Sequence, residues 1–222
     1  MLNASNYKKQ FTEPFDSVMV SERVAKAWGC DASLLRQIWK KNAEMSQGFG
    51  TALHSAMEQF WRYKDVPFNG NSPFLSKNKT LLGFVELFPE KERSVLPEIF
   101  VSDTKRGWVG QVDGLYVLDQ EKKTAKIMDY KTDAELDAFV IEKELTLAKE
   151  QGDKNEISSL RKKLKKAKDT LRVHFIQLSF YAYILRAFGW TIEGLEIWNF
   201  TDSWKCFEGE VLNLEELEAN NK

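Results

Sequence analysis

The sequence predicts an α/β fold. Apolar residues at helical spacing run through residues 31–66, period-two alternation takes over between Ile99 and Lys131, and helical spacing returns from residue 134 before two further strand patterns. At 222 residues, against about 150 for a typical domain, residues 1–222 read as a single domain with one elaboration, a charged helical hairpin inserted at about 134–172. Lys plus Arg number 32 and Asp plus Glu 33, while 43% of residues are hydrophobic and 13% aromatic. Such a chain has the apolar surface for a core and is neither disordered nor collagen-like. The longest apolar stretch, His174 to Trp190, is broken by Gln177, Ser179 and Arg186 and falls short of the roughly 20 apolar residues of a membrane span. A soluble protein is expected. The N-terminal residues lack the charged-then-apolar order of a secretory signal, so the expected compartment is cytoplasmic. Cys30 and Cys206 are too few for a disulfide framework or a four-cysteine metal site. A pI of 6.2 removes the uniformly basic class of nucleic-acid binder, so any such function rests on local charge.

Asp31 or Ser33 can cap a helix whose face carries Leu34, Leu35, Ile38 and Trp39, and Gly48 and Gly50 are expected to end it. A second helix is predicted from Thr51, as N-cap, through Leu53, Ala56, Met57, Phe60 and Trp61 to a stop at Pro67 and the Asn69-Gly70-Asn71 turn. A short apolar helix over Leu81 to Phe88 follows. Ile99 to Val101, Trp108 to Leu118 and Thr124 to Lys131 read as three consecutive antiparallel strands. Asp119 to Lys122 is the polar connection between the last two, so residues whose numbers sum to about 242 face each other and Asp113 falls opposite Asp129. In the hairpin, Leu136, Val140, Leu145 and Ala148 form one stripe and Ile157, Leu160, Leu164, Ala167 and Leu171 another, with Gln151-Gly152-Asp153 as the break. Its second arm is expected to run on into the apolar helix near Phe188, stopped by Gly189. Thr191 to Phe200 and Trp204 to Glu210 are strand patterns, and a short polar helix closes the chain.

Alternate side chains on a strand share a face, so Asp129 and Lys131 point one way and Tyr130 the other. Two carboxylates opposed across a hairpin, with Cβ atoms roughly 4.5 to 5.5 Å apart, repel unless one is protonated or a cation lies between them. A hard divalent cation, Mg²⁺ or Mn²⁺, resolves that conflict, and Lys131 beside it is suited to orient or deprotonate a water that attacks phosphorus. The Asp-x-Lys triplet alone carries little, since Asp103-Thr104-Lys105 matches it too; the end of an apolar alternating strand singles out Asp129-Tyr130-Lys131. On the preceding helix His54 and Glu58 share a face, and Gly50 admits close backbone approach, so His54 is a candidate ligand as well as a candidate core histidine. His174, Gln177 and Tyr181 form a polar stripe on a helix that otherwise wants burial. Their amide and phenol need partners, in the protein or in a substrate.

Taken together, Gly50-Thr51-Ala52-Leu53-His54 with Glu58, then Glu98, then Gly110-Gln111-Val112-Asp113, then Asp129-Tyr130-Lys131-Thr132, then Gln177-Leu178-Ser179-Phe180-Tyr181 form a series over residues 48–183. In order and spacing the series resembles the successive motifs of the PD-(D/E)XK nuclease superfamily, in its RecB-like exonuclease branch. The resemblance implies a restriction-endonuclease-like core, with a central mixed β-sheet flanked by helices, and hydrolysis of DNA phosphodiesters with Mg²⁺ or Mn²⁺. It implies His54, Asp113, Asp129 and the backbone carbonyl of Tyr130 as metal ligands and Lys131 as the catalytic lysine. Gln177 and Tyr181 would position substrate, Glu98 is the upstream acid of the catalytic set, and Glu58 is a helix acid on the substrate side. Relatives with an iron–sulfur cluster use four cysteines around this core, which two cannot supply.

The expected activity is that of a metal-dependent deoxyribonuclease in replication, recombination or repair, an exonuclease or flap-type enzyme acting on single- or double-stranded DNA. A small nuclease of this branch without a fused helicase suits a phage or mobile element, and for a phage the compartment is the host cytoplasm. The alternatives are a non-catalytic nucleic-acid-binding or assembly subunit that keeps the fold, and a structural protein that meets its partner through the hairpin. That hairpin concentrates Arg161, Lys162, Lys163, Lys165, Lys166, Lys168 and Arg172 on a chain of net charge −1. Such a run reads either as the solvated face of a two-helix coiled coil or as an arm on which Lys162, Lys163 and Lys166 bind the DNA backbone and guide it toward Asp113 and Asp129.

Overall fold

A computed structural model describes residues 1–12, 14–63, 94–133, 136, 138–201 and 203–220. In chain order its elements are β1 (Leu2–Asn3), α1 (Ala4–Lys9), α2 (Ser17–Trp28), α3 (Ala32–Tyr63), β2 (Ser94–Asp103), β3 (Trp108–Asp119) and β4 (Thr124–Lys131). Then come α4 (Ala138–Gln151), α5 (Lys154–Ala187), β5 (Thr191–Phe200), β6 (Trp204–Gly209) and α6 (Leu214–Asn220). Strands β2, β3 and β4 form an antiparallel meander, β4 pairs with β5 in parallel, and β5 pairs with β6 antiparallel, giving one open mixed sheet. The parallel step needs a long crossover, which α4 and α5 supply.

Period-two alternation sends successive residues to opposite faces, and each face has a helix to cover it. Ile127 and Ile197 join Ile176, Phe180 and Ile184 of α5 on one side. Met128, Tyr130 and Trp198 join Leu53, Met57, Phe60 and Trp61 of α3 on the other. The α/β class and the three antiparallel strands are therefore as expected, and the pairs from Gly114↔Met128 to Val117↔Ala125 keep the expected register. No helix among the described residues is long and apolar enough to cross a membrane.

The two helices expected on either side of Gly48 and Gly50 are one, α3, of 32 residues. Asp31 does cap its start, accepting the Leu34 N–H at 2.9 Å. Thr51 caps nothing; its hydroxyl donates to the Gln47 carbonyl at 3.0 Å, a bond made inside a continuing helix. A glycine within a helix costs only about 1 kcal/mol relative to alanine, and the burial of Leu53, Met57, Phe60 and Trp61 beyond it outweighs that. The expected stop at Pro67, the Asn69 turn and the helix over Leu81 to Phe88 lie outside the described residues.

The charged stretch forms the expected hairpin. Gly152 turns it with φ 73°, and Asp153 caps α5 by accepting the Asn155 and Glu156 N–H groups at 3.0 Å each. Leu145, Ala148 and Leu160 are its seam, with Ile141, Ile157 and Leu164 beside them. Two residues of the expected first stripe fall elsewhere: Val140 is 40% exposed, Ile141 taking its place, and Leu136 belongs to the main core.

The N-terminal elements are not among those the sequence predicts, although Ala4, Tyr7 and Phe11 keep helical spacing and pack on the core. Strand β2 runs along one edge of β3 from Trp108 to Val117, while β4 holds the other edge from Gly114 to Asp119. Parallel strand β1 pairs with Trp108 and Val109, so it takes the part of that second edge that β4 leaves. Helix α1 follows at once, anchored by buried Tyr7 against Phe180 at 5.0 Å and Phe11 at 5.5 Å between ring centres.

Where β6 ends, a Cβ on Gly209 would lie 2.6 Å from the Phe175 ring. Gly209→Ala should lower the unfolding free energy by about 1–3 kcal/mol in urea titrations, as overpacking does. Phe175→Leu in the same chain should recover part of that loss.

Candidate functional site

Strands β2 and β3 pair Pro97 with Gly114 and Ile99 with Val112, so Glu98 falls opposite Asp113. The β3/β4 register, continued one step past Gly114↔Met128, sets Asp113 opposite Asp129. By register the three acids thus fall in one row across neighbouring strands, and Asp129 is the charge Asp113 feels most. The ladder does not close over this row. The Tyr130 N–H goes to Asp113 Oδ2, at 3.0 Å. Glu98 has a left-handed backbone with φ 50°, a conformation that persists in a non-glycine residue only where surroundings impose it, and its carboxylate accepts from Gln111 Nε2 at 2.8 Å.

His54 reaches the row from α3. Its Nδ1 is 3.4 Å from Asp113 Oδ2 and 3.9 Å from Glu98 Oε1, and its Nε2 is 3.0 Å from the Tyr130 carbonyl oxygen. The ring of Tyr130 points to the opposite face, as the alternation expects, where its hydroxyl accepts from Trp61 Nε1 at 2.8 Å. One side of α3, with Gln47, Gly50, Thr51 and His54, lines a cavity of about 840 Å³ together with Glu98, Lys131, Asp133 and His174. Gly50 sits in mid-helix, and a Cβ there would meet Thr132 Oγ1 at an ordinary 3.7 Å, so the close backbone approach expected of it is not what the packing requires.

Asp129 and Lys131 share the face opposite the Tyr130 ring and form an ion pair. The segment that follows is clamped: Asn199, which is buried, accepts the Asp133 N–H at 3.0 Å and donates to the Asp133 carbonyl at 2.9 Å. Gln177 and Tyr181, one turn apart on α5, are joined by a bond from Gln177 Nε2 to the Tyr181 hydroxyl at 3.1 Å. Gly110 makes room for that phenol, since a Cβ there would collide with the Tyr181 ring. Gln177 Oε1 accepts from Lys8 Nζ at 2.7 Å. Lys8 is the functional candidate that the sequence does not announce, because it lies in a helix of six residues, too short to sustain a recognisable period. Glu58 stands one turn beyond His54 and pairs with Arg62 at 2.8 Å. Lys162, Lys163 and Lys166 lie on the exposed side of α5.

Burial and then the Asp129 carboxylate push the Asp113 carboxyl well above the usual range, and burial and then Glu58 raise Glu98. Burial acts upward on Asp129 too, yet the Lys131 ammonium and the nearby histidines override it and hold that carboxyl low. Lys131 is the mirror case, with burial acting downward and Asp129 and Asp113 overriding it, so it stays an ammonium. Burial and then Lys131 lower His54, and the same two causes bring His174 down to about 4. Both imidazoles are therefore neutral at pH 7, the form that can ligate a metal.

A divalent cation fits this donor set. Ligand atoms of His54, Glu98 and Asp113 lie within 4.8 Å of one another, the Tyr130 carbonyl adjoins them, and the Asp113 anion is the one a cation would relieve. Of the expected ligands, the geometry brings His54, Asp113 and the Tyr130 carbonyl together with Glu98, whereas Asp129 is turned to Lys131. No protein-family model matches the chain, and no curated protein matches it.

A carboxyl whose folded pKa is raised lends stability below the ordinary carboxylate range, and that stability is lost as pH rises through its raised value. The metal-free melting temperature of wild type should therefore fall relative to Asp113→Asn as pH is taken upward from about 4. The amide oxygen of the variant can still accept the Tyr130 N–H. Scanning calorimetry in EDTA at pH 7 should find Asp113→Asn level with wild type or above it, and a clearly lower value would contradict charge strain in the acid row.

Proposed function

We propose that this protein is a divalent-metal-dependent DNA nuclease of the PD-(D/E)XK kind, in its RecB-like exonuclease branch, on a restriction-endonuclease-like core. One observation carries the reading: His54, Glu98 and Asp113 bring ligand atoms within 4.8 Å of one another, and the Asp129–Lys131 ion pair lies within electrostatic reach of Asp113. The mixed sheet between α3 and α5 is compatible with such a core. A Mg²⁺ or Mn²⁺ ion bound by His54, Glu98, Asp113 and the Tyr130 carbonyl, beside Asp129, would polarise a phosphoryl oxygen and acidify a water.

The chain's own residues supply the rest. Lys131, kept cationic by Asp129, donates to a nonbridging phosphoryl oxygen or to the attacking water, and as an ammonium it is no base. His54 and His174, both neutral, leave the cavity without added positive charge. Overall, the water oxygen joins phosphorus, one ester P–O bond breaks, and one of the water's protons ends on the departing oxygen. Along α5, Lys162 to Lys166 lie about 17–23 Å from Gln177 at 1.5 Å per residue. That distance suits phosphates a few nucleotides from the bond that is cut. The activity befits an exonuclease or flap-type enzyme of replication, recombination or repair, encoded by a phage and working in the host cytoplasm.

Labelled single- and double-stranded DNA incubated with Mn²⁺ tests the activity directly. Asp113→Asn, Asp129→Asn and Lys131→Ala should each lower cleavage at least about 100-fold, the scale of removing one transition-state hydrogen bond. Near wild-type turnover by Asp129→Asn would sink the assignment. His54→Ala should weaken Mn²⁺ binding in calorimetry by at least about tenfold and DNA binding far less.

Replacing Lys162, Lys163, Lys165 and Lys166 with Gln should weaken DNA binding and flatten its salt slope by about 0.7–0.9 for each phosphate that is no longer neutralised, with Mn²⁺ affinity unchanged. An unaltered slope would return the hairpin to a structural or partner-binding role.

A further inference from the structure

Within electrostatic reach of Asp113 and Asp129 lies a second group of side chains that the metal centre does not use. Tyr7 is buried against Phe180 and anchors α1, which leaves the next residue, Lys8, half-buried with its ammonium on Gln177 Oε1 at 2.7 Å. Among the described residues this lysine has no carboxylate in ion-pair contact, and the one hydrogen bond its ammonium makes goes to a neutral amide. His174 stands one turn before Gln177 on the cavity wall, and its buried Nδ1 has no hydrogen-bond partner among the described residues. Lys131, within electrostatic reach of both, is already matched by Asp129. Burial and then Lys131 depress the Lys8 ammonium. Asp129 and Asp113 offset this only in part, so a second cation held half-buried beside Lys131, next to an unsatisfied imidazole, keeps a cost that an anion would reduce.

We propose that Lys8 and His174 form a phosphate-holding wall opposite His54, Glu98 and Asp113, where Lys8 donates to a nonbridging oxygen of a DNA phosphate. A phosphodiester brings one negative charge and two nonbridging oxygens, which is what a lone ammonium and a neutral imidazole lack. Gln177 fixes the ammonium, Tyr181 fixes Gln177, and the Tyr181 ring rests on Gly110 of β3. Gln177 and Tyr181 are then positioning residues that act through Lys8. The inference rests on the nuclease reading for its substrate, and the assays are chosen so that either can fail alone.

Lys8→Met keeps the apolar stem and removes the charge; Lys8→Gln serves the same comparison should the first variant not fold. Exposed Lys9, changed to Met, is the control. With Mn²⁺, Lys8→Met should lose at least about tenfold in the single-turnover rate at saturating DNA, below the full value of a dedicated transition-state donor. In EDTA, the salt slope of its DNA binding, followed by fluorescence anisotropy, should shrink by about 0.7–0.9. Lys8→Arg should retain both, His174→Leu should weaken DNA binding several-fold, and Mn²⁺ affinity in calorimetry should not fall in any of them. Cleavage by wild type with unchanged rate and slope in Lys8→Met overturns the phosphate wall and leaves the nuclease standing. A slower rate with an unchanged slope also overturns it, because Lys8 then touches no phosphate. His174→Leu binding DNA as wild type does removes His174 from the wall. If wild type fails to cleave but Lys8→Met still flattens the slope, the nuclease reading falls and the wall stands. A wild type that neither cleaves nor binds DNA overturns both.

Discussion

The opposition of Asp113 and Asp129 shapes everything around it. Two neighbouring carboxylates, Asp129 buried and Asp113 half-buried, cannot both ionise freely, and the chain meets this with one bond and one ion pair. Asp113 takes the Tyr130 N–H, which ends the β3/β4 ladder at Gly114↔Met128, while Asp129 is matched by Lys131. The consequence for the fold is an edge of β3 left open beyond Gly114. Strand β1 fills part of it at Trp108 and Val109, and α1 is thereby brought over the site with Lys8. The N-terminal strand thus sits on the edge that the shortened β3/β4 ladder leaves, and the Tyr7–Phe180 contact holds the helix after it.

Much of this was legible in the sequence, for identifiable reasons. The register that sets Asp113 against Asp129 follows from the polar Asp119 to Lys122 connection and the strand period, both local quantities. The hairpin and its passage into the apolar part of α5 follow from stripes of Leu and Ile interrupted once, at Gly152. Two features were not legible. Gly48 and Gly50 look like a helix break because glycine weakens a helix locally, yet tertiary burial of the residues after them decides the outcome. Lys8 gives no warning because its position depends on an aromatic contact between Tyr7 and Phe180, residues far apart in the chain.

Glu98 shows a third case. The sequence offers it as an acid upstream of the strands, and only the β2/β3 register puts it level with Asp113. Its left-handed backbone is strain at the point where its carboxylate joins His54 and Asp113, and strained residues gather at sites whose geometry is imposed by their neighbours. Asn199 plays the complementary part on the far side of Lys131, where two bonds to Asp133 hold the chain after the lysine. Rigid supports of this kind are what allow a half-buried ammonium to sit beside its carboxylate without wandering toward the second acid.

The site is therefore divided by charge rather than uniformly acidic. His54, Glu98 and Asp113 offer neutral nitrogen and anionic oxygen on the α3 side, whereas Lys8, His174 and Lys131 offer donors on the α1 and α5 side. A cation placed on the first group lowers the repulsion within it and strengthens the attraction of the cavity for an anion next to the second. An anion placed on the second relieves the like charges of Lys8 and Lys131 and, by the same reciprocity that governs any two linked ligands, favours the cation. Metal and phosphate would then bind cooperatively without any movement of the backbone, because each removes a charge conflict already built into the apo site.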